Sequence, residues 1–343
     1  MRAGVVVYCE HKRMMEQGRR IGVVLFQLGG PDSLEAVEPF LYNLFLDPDI
    51  IDFPFAKLAR PALARLIAST RSKKVKKGYA ALGGKSPIVE WTARQARALE
   101  EALQPSLDAR VVVAMRYWHP FTAEALQELE KDSCEELVLL PLYPQYSKTT
   151  TGSSLNEWNR RFPASGLSRV PVKVVREFYH HPSYIAALVE QIEGVLERFA
   201  SPSETHLVFS AHGVPVAVIQ EGDPYQTQVE ETTRLILERG RWGLPHTVCY
   251  QSKVGSGRWL QPSIHEAVER LGAQAVRGVL VVPVSFVSDH IETLHEIDQD
   301  VRKEAAQAGV RQFEMMAGLN DSPRFIRALA DLVLEAVGAG IPK

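Results

Sequence analysis

Residues Val279 to Phe286, VLVVPVSF, form an almost unbroken apolar run rich in valine, and this run narrows the possible folds more than any other stretch. A strand with one face in water alternates apolar and polar side chains. A run apolar at nearly every position belongs to a strand covered on both faces, as in a parallel sheet flanked by helices. The run stops abruptly at Ser288, a favourable N-cap, and Asp289 and Glu292 fall where a first helical turn favours negative charge. At about 100° per residue, Asp289, Glu292, Glu296 and Asp300 share one stripe, while Ile291, Leu294, Ile297 and Val301 take the other side. The expectation is a buried strand leading into a helix with one acidic face. In open α/β sheets ligands bind outside the carboxyl ends of the strands, which is where this helix begins. Packed carboxylates repel when ionised, so at least one should have a raised pKa and exchange protons near neutrality. With His290 among them, the group is suited to binding a divalent metal, receiving protons, or both.

The remaining chain alternates similar β-like runs with longer amphipathic segments, the pattern of βαβ units. Strands are expected at 21–27, 110–116, 137–142 and 172–176 in the first half, and at 206–210, 246–251, 279–286 and 312–316 in the second. LVLLPLYPQYS from Leu137 aligns without gaps on VLVVPVSFVSD from Val279, with Pro141 on Pro283. The expected organisation is therefore two similar α/β domains facing each other across a cleft. An N-terminal extension spans 1–20, the first domain 21–180 with a hydrophobic insertion at 38–86, and the second domain 181–322. A C-terminal helix within 323–343 should pack back on the first domain.

At 343 residues, 45% of them hydrophobic and 23% charged, the chain can bury two such cores. A formal net charge of -2 with no basic face excludes a nucleic-acid binder. Cys9, Cys134 and Cys249 are far apart without metal-ligand spacing, which points to a reducing compartment without structural zinc or disulfides. No apolar stretch approaches the roughly 20 residues that span a bilayer. A cytoplasmic protein, at most peripheral at a membrane surface, is expected.

Strand ends carry the chemistry. The first ends in Leu28-Gly29-Gly30-Pro31, a tight turn that lets a ligand approach the backbone rather than a dinucleotide fingerprint. The second ends in Arg116, Tyr117, Trp118, His119 and the third in Tyr143-Pro144-Gln145-Tyr146-Ser147. THLVFSAHGVP delivers His212 off a buried strand before a glycine turn, and the next strand ends in Tyr250, Gln251, Ser252 and Lys253, with Trp259 beyond. On a doubly wound sheet His212 and the Asp289 to Glu296 cluster share one rim. The insertion carries Phe40, Leu41, Leu44, Phe45, Phe53 and Phe55, then Arg71, Lys73, Lys74, Lys76 and Lys77. It reads either as two helices packed on the domain or as an apolar lip bordered by cations, which would hold the carboxylates of a flat apolar ligand or touch an anionic membrane.

With LGGP at Leu28, GGKSPI at Gly83, RYWHP at Arg116, YPQYSKTTTGSSLN at Tyr143, FSAHGVP at Phe209, YQSKVG at Tyr250 and SDHIETLHEID at Ser288, the chain resembles the ferrochelatases from residue 21 to about 337. The resemblance implies two Rossmann-like domains around a porphyrin cleft, with parallel four-stranded sheets. It also implies insertion of ferrous iron into protoporphyrin IX, with iron and porphyrin as substrates. By the same resemblance His212 and Glu292 are the working pair and metal contacts, with Asp289, His290 and Glu296 a supporting acidic relay. Arg71, Tyr79 and Ser86 match porphyrin and propionate contacts, and Leu28 and Trp259 match cleft walls; Arg116 and Ser252, at strand ends within the motifs, are taken as substrate-binding too. Relatives with a [2Fe-2S] cluster carry a cysteine where this chain has Lys148, so no cluster and no permanently bound cofactor are expected. A monomer or homodimer is compatible with the sequence.

Other readings remain at this stage. Coproporphyrin would use the same catalytic motifs, and a non-catalytic porphyrin or haem carrier would not need both His212 and the acidic stripe. A cobalt or nickel chelatase for an earlier tetrapyrrole would lack the long insertion. A zinc peptidase is excluded by spacing, since His290 and His295 do not stand at i, i+4.

Overall fold

The computed structural model describes residues 19–50, 56–253 and 257–339, the side chains of 56–58 excepted. Most of the 1–20 extension, Cys9, and Phe53 to Phe55 of the insertion lie outside the described residues.

The strands form two four-stranded sheets. The first has the order β2-β1-β3-β4, from β1 (Arg20–Gln27), β2 (Asp108–Met115), β3 (Glu136–Pro141) and β4 (Val172–Val174). The second has the order β6-β5-β7-β8, from β5 (Thr205–His212), β6 (His246–Gln251), β7 (Gly278–Pro283) and β8 (Gln312–Met315). Every pairing is parallel. All residues of β3 and β7 are buried, as continuous apolar runs require. The run expected to continue to Phe286 is strand only to Pro283; one further bond, from the Val284 N–H to the Ser210 carbonyl at 2.9 Å, closes the ladder before the chain turns toward the site.

The two sheets repeat one plan. Phe26 pairs with Pro141 in the first and Ser210 with Pro283 in the second. Two residues further on, Leu28-Gly29-Gly30-Pro31 and His212-Gly213-Val214-Pro215 therefore leave their sheets at matching places. Among the helices, α1 (Val37–Leu46) and α2 (Ala56–Ala81) make up the insertion. Helix α3 (Ile88–Leu103) buries Ile88, Thr92, Gln95, Ala96, Leu99 and Leu103 at helical spacing. Helices α4 (Pro182–Leu196), α5 (Tyr225–Gly240) and α6 (Pro323–Val337) complete the packing that matters for the site.

One apolar core joins the two sheets, from Leu25, Val138 and Leu140 to Phe209, Leu280 and Val282, with Leu99, Ile192, Leu329 and Val333 between them. Each such side chain contributes about 1.5–3 kcal/mol on burial. Buried amides cross the same boundary. Gln95 Nε2 donates to Ser288 Oγ at 3.0 Å and to the Asn320 carbonyl at 2.8 Å. Gln145 Nε2 donates to Thr232 Oγ1 at 3.0 Å and to the Val284 carbonyl at 3.1 Å. This packing holds the carboxyl ends of β1 and β5, and the turns that follow them, in fixed relation.

Candidate active site

His212 is the last residue of β5, paired in register with Gln251. Its Nδ1 lies 2.9 Å from Glu292 Oε2, which leaves Nε2 for a ligand. Glu292 opens a π-helical segment, Glu292–Val301, whose buried Ile297 and Val301 pack against Val208, Val279 and Val281 of the second sheet. The imidazole and carboxylate expected to share a rim are thus in direct contact.

The entry to that segment departs from the expected one. Ser288 does not cap a helix: its hydroxyl is engaged with Gln95, and the helix begins at Ile291 without a side-chain cap. Asp289 also leaves the acidic stripe. Its buried carboxylate accepts from Asn320 Nδ2 at 2.7 Å, from the Gly318 N–H at 2.9 Å and from Thr293 Oγ1 at 3.3 Å. Asp289 therefore anchors the turn. Asp300 pairs with His295 at 3.3 Å, apart from the His212 contact. The acidic face reduces to Glu292 and Glu296, placed on one side by the wider π turn.

The two carboxylates sit in opposite electrostatic situations. Burial disfavours the Glu292 charge, but His212 and then His290 outweigh it and hold the carboxyl well below the usual range. For Glu296, burial and the neighbouring Glu292 charge raise the pKa, while Ser252 limits the rise. Ser252 supplies its N–H to Glu296 at 2.9 Å and its hydroxyl at 2.6 Å, from a left-handed backbone with φ 64°. Burial also opposes charge on His212, yet Glu292, with help from Glu296, lifts the imidazole above its ordinary value. The result is an imidazole with raised proton affinity beside a carboxyl kept ionised, and a second carboxyl more readily protonated than an ordinary one.

His290 is buried against Phe286, with ring centroids 4.4 Å apart. Its Nδ1 meets the Ser288 carbonyl at 3.1 Å. Its Nε2 has no hydrogen-bond partner among the described residues and stands 3.8 Å from Glu292, too far for a hydrogen bond but near enough to act through charge.

The facing wall comes from the first half. Tyr79, on α2, is buried; burial and the Glu292 charge raise its pKa, while the Ser86 hydroxyl works the other way. Gly78 allows α2 to approach the π-helical segment, since an added Cβ would lie 3.2 Å from Ile291 Cδ1. Gly30 clears Ser86, whose Oγ would be 2.5 Å from an added Cβ. Leu28, just past β1, matches the position of His212 at the end of β5 and is partly buried against the insertion. Trp259 packs over Gly213, whose added Cβ would be 3.3 Å from its ring, and lines an open groove with Val216, Lys253 and Arg258. Arg71 lies over the Phe45 ring at 5.7 Å, at the insertion rather than beside His212.

Arg116, expected to bind substrate, is taken up by the protein itself. Its guanidinium pairs with buried Asp47 at 2.9 Å and donates from Nε to Ser153 Oγ at 2.8 Å. The Tyr117 hydroxyl donates to the same Asp47 at 2.6 Å. A carboxylate with no exposed surface needs these partners, so Arg116 secures the end of α1. Phe40, Leu41 and Phe45 turn inward against Ala64, Ala68 and Tyr79, so much of the insertion is a small core of its own; Leu66 is 62% exposed.

Three further polar residues stand at the site: Gln251, named at its strand end, and Ser285 and Tyr225, which were not singled out in the sequence. Gln251 accepts from Ser210 Oγ at 2.6 Å and brings its Nε2 to 3.5 Å from Glu292. Ser285 accepts from the His212 N–H, and Tyr225 donates to the His212 carbonyl, both at 3.0 Å. The available signals were a hydroxyl breaking the apolar run at Ser285 and a Gly-Asp-Pro turn before Tyr225.

The family model described as Ferrochelatase matches residues 20–337. The ferrochelatase of Aquifex aeolicus is 50% identical over 316 residues, covering 92% of this chain and 99% of the relative. The ferrochelatase of a Nostoc species is 47% identical over 321 residues, covering 93% of this chain and 82% of the relative. Among solved structures, SirB from Bacillus subtilis with Fe3+ superposes with a TM-score of 0.53 at 12% identity, covering 93% of this chain and 95% of that one. At that identity the likeness is one of fold.

Proposed function

The chain belongs to the ferrochelatase family and is a metal chelatase of haem biosynthesis, and on that premise we propose that it inserts ferrous iron into protoporphyrin IX with His212 and Glu292 as the working pair. Metalation exchanges two pyrrole N–H protons for one divalent ion, so the site needs a base at the macrocycle and a weak, exchangeable metal ligand. His212 accepts pyrrole protons at Nε2, since Nδ1 is held by Glu292 at 2.9 Å. Its raised pKa supports that role. Glu292, kept ionised, meets the incoming ferrous ion. Glu296 then takes protons away from the pair, while Asp289 fixes the turn that presents Glu292 and His290 stands 3.8 Å behind its carboxylate.

Leu28 and Trp259 are assigned to the faces of the macrocycle, and Tyr79, Ser86, Arg71 and Ser252 to its edges. The apolar wall at partly buried Leu28 supports protoporphyrin IX over a porphyrin with additional carboxylates. Iron is substrate here, with no resident cofactor proposed. No helix among the described residues is long and apolar enough to cross a membrane. Exposed Leu66 together with Lys73, Lys74 and Lys77 supports a peripheral contact with anionic lipid, to be checked by sedimentation with acidic and neutral vesicles.

The observation that carries the reading is the His212–Glu292 contact at the carboxyl end of β5. The test is anaerobic metalation with ferrous iron and either protoporphyrin IX or coproporphyrin, followed by loss of free-base fluorescence. His212→Ala and Glu292→Gln should each reduce the rate by at least about a hundredfold. A parent faster on coproporphyrin sinks the substrate assignment, and a parent that binds porphyrin without metalating it sinks the catalytic one.

A further inference from the structure

His212 is held through its main chain as well as through its imidazole. Val284 donates its N–H to the Ser210 carbonyl at 2.9 Å, and a parallel ladder continued one step would take the His212 N–H to the Val284 carbonyl. That carbonyl instead receives Tyr184 at 3.0 Å and Gln145 at 3.1 Å. The His212 N–H turns to Ser285 Oγ at 3.0 Å, and the His212 carbonyl accepts from the Tyr225 hydroxyl at 3.0 Å. Both main-chain groups of the residue are thus held by side chains from other elements.

Tyr225 is itself fixed. It heads α5, and its N–H donates to Asp223 Oδ1 at 3.0 Å. The other oxygen of Asp223 accepts from the Lys148 N–H at 2.7 Å and from Ser147 Oγ at 3.1 Å, both from the first half. The first half also shows how a strand end without an imidazole is treated. The N–H of Leu28, which stands where His212 stands, goes to the adjacent Gln27 side chain at 3.0 Å. Ordinary satisfaction of a released N–H therefore does not require a clamp from two other elements.

We propose that Tyr225 and Ser285 are positioning residues for His212, clamping its main chain so that the imidazole keeps its bearing on Glu292 and on the porphyrin. The inference rests on His212 being the working base. Small displacements of a reacting group are expensive: about 1 Å costs on the order of a hundredfold in rate.

The experiment compares the parent with Tyr225→Phe, Ser285→Ala, Ser285→Thr, His212→Ala and the double variant His212→Ala with Tyr225→Phe, in anaerobic metalation with ferrous iron and protoporphyrin IX. Porphyrin KM and melting temperature are recorded throughout. Tyr225→Phe and Ser285→Ala should each lower kcat about tenfold with KM unchanged, and Ser285→Thr, which keeps the hydroxyl, should restore the rate. On the His212→Ala background, Tyr225→Phe should remove nothing further. An active parent matched within about twofold by Tyr225→Phe, or a loss as large without His212 as with it, overturns the positioning role alone. A parent that metalates no porphyrin overturns this inference together with the reading beneath it.

Discussion

At the scale of single residues, the site is a set of ionisable groups whose surroundings push their pKa values apart. Glu292 is held below its ordinary 4.5, so its share of stability is present above that value and is lost as pH falls through the lowered one. His212 is held above 6.5, so its share is complete below 6.5 and is lost as pH rises through the raised value. The melting-temperature difference between parent and Glu292→Gln should therefore be greatest between 4.5 and 6.5 and should shrink as pH climbs past the His212 transition. Thermal scans across that range decide it; a difference that grows with pH would mean the pair is not ionised as described. Asp47 makes the complementary case. Replacing it with Ala removes the counter-charge of the Arg116 guanidinium, whose side chain is 12% exposed, and leaves the Tyr117 hydroxyl only the longer contact with Ser153 at 3.4 Å. Urea unfolding should show a loss of about 3–5 kcal/mol, and a variant within about 1 kcal/mol of the parent would show the network to be dispensable. The sequence exposed His212 because it ends a strand, and Glu292 and Glu296 because they share one stripe of the helix that follows a strand. The partners of Asp289 and Arg116 were hidden because Asn320, Gly318, Asp47 and Ser153 lie far along the chain from them.

At the scale of elements, the strands were legible because burial on both faces leaves a mark at every position, as in β3 and β7. The repeat of Pro141 on Pro283 likewise reappears as shared register. The π-helical segment was not legible. A period of 3.6 was read through Glu292–Val301, whereas the winding there is set by tertiary contacts that precede it. Ser288 is turned to Gln95, Asp289 is held by three donors, and Gly318 presses on both. A Cβ at Gly318 would stand 2.8 Å from the Asp289 nitrogen and 2.9 Å from the Ser288 carbonyl carbon, atoms of the backbone that cannot swing aside. Gly318→Ala should therefore shift the entry to the segment and carry Glu292 off His212. The expected outcome is about 1–3 kcal/mol lost in urea and a metalation rate reduced far more than porphyrin affinity. Equal loss of both, measured by fluorescence titration beside kinetics, would place the damage in the cleft as a whole.

At the scale of the molecule, the duplicated sheets invite the idea of two independent folding units, and the packing argues against it. Leu99 of α3 and Ile192 of α4 share one buried cluster with Phe209 and Val282 of the second sheet, and Leu329 and Val333 of α6 lie within it. The polar links across the boundary, Gln95 to Asn320 and Gln145 to Val284, are themselves buried, so separation would leave several unpaired groups as well as apolar surface. Each half has a cluster of its own on one side of its sheet, but the largest core is shared between them. Leu329→Ala, at a site with no exposed surface, should cost about 2–5 kcal/mol. More telling is the form of the transition. Far-ultraviolet dichroism and tryptophan fluorescence should move together in urea for parent and variant alike, with one midpoint displaced and the slope kept. Trp91 and Trp158 report the first half, and Trp242 and Trp259 the second. If the variant unfolded in two steps, with one set of tryptophans released before the other, the halves would be separable bodies. The fixed opposition of Tyr79 to Glu292 would then be a property of binding rather than of folding.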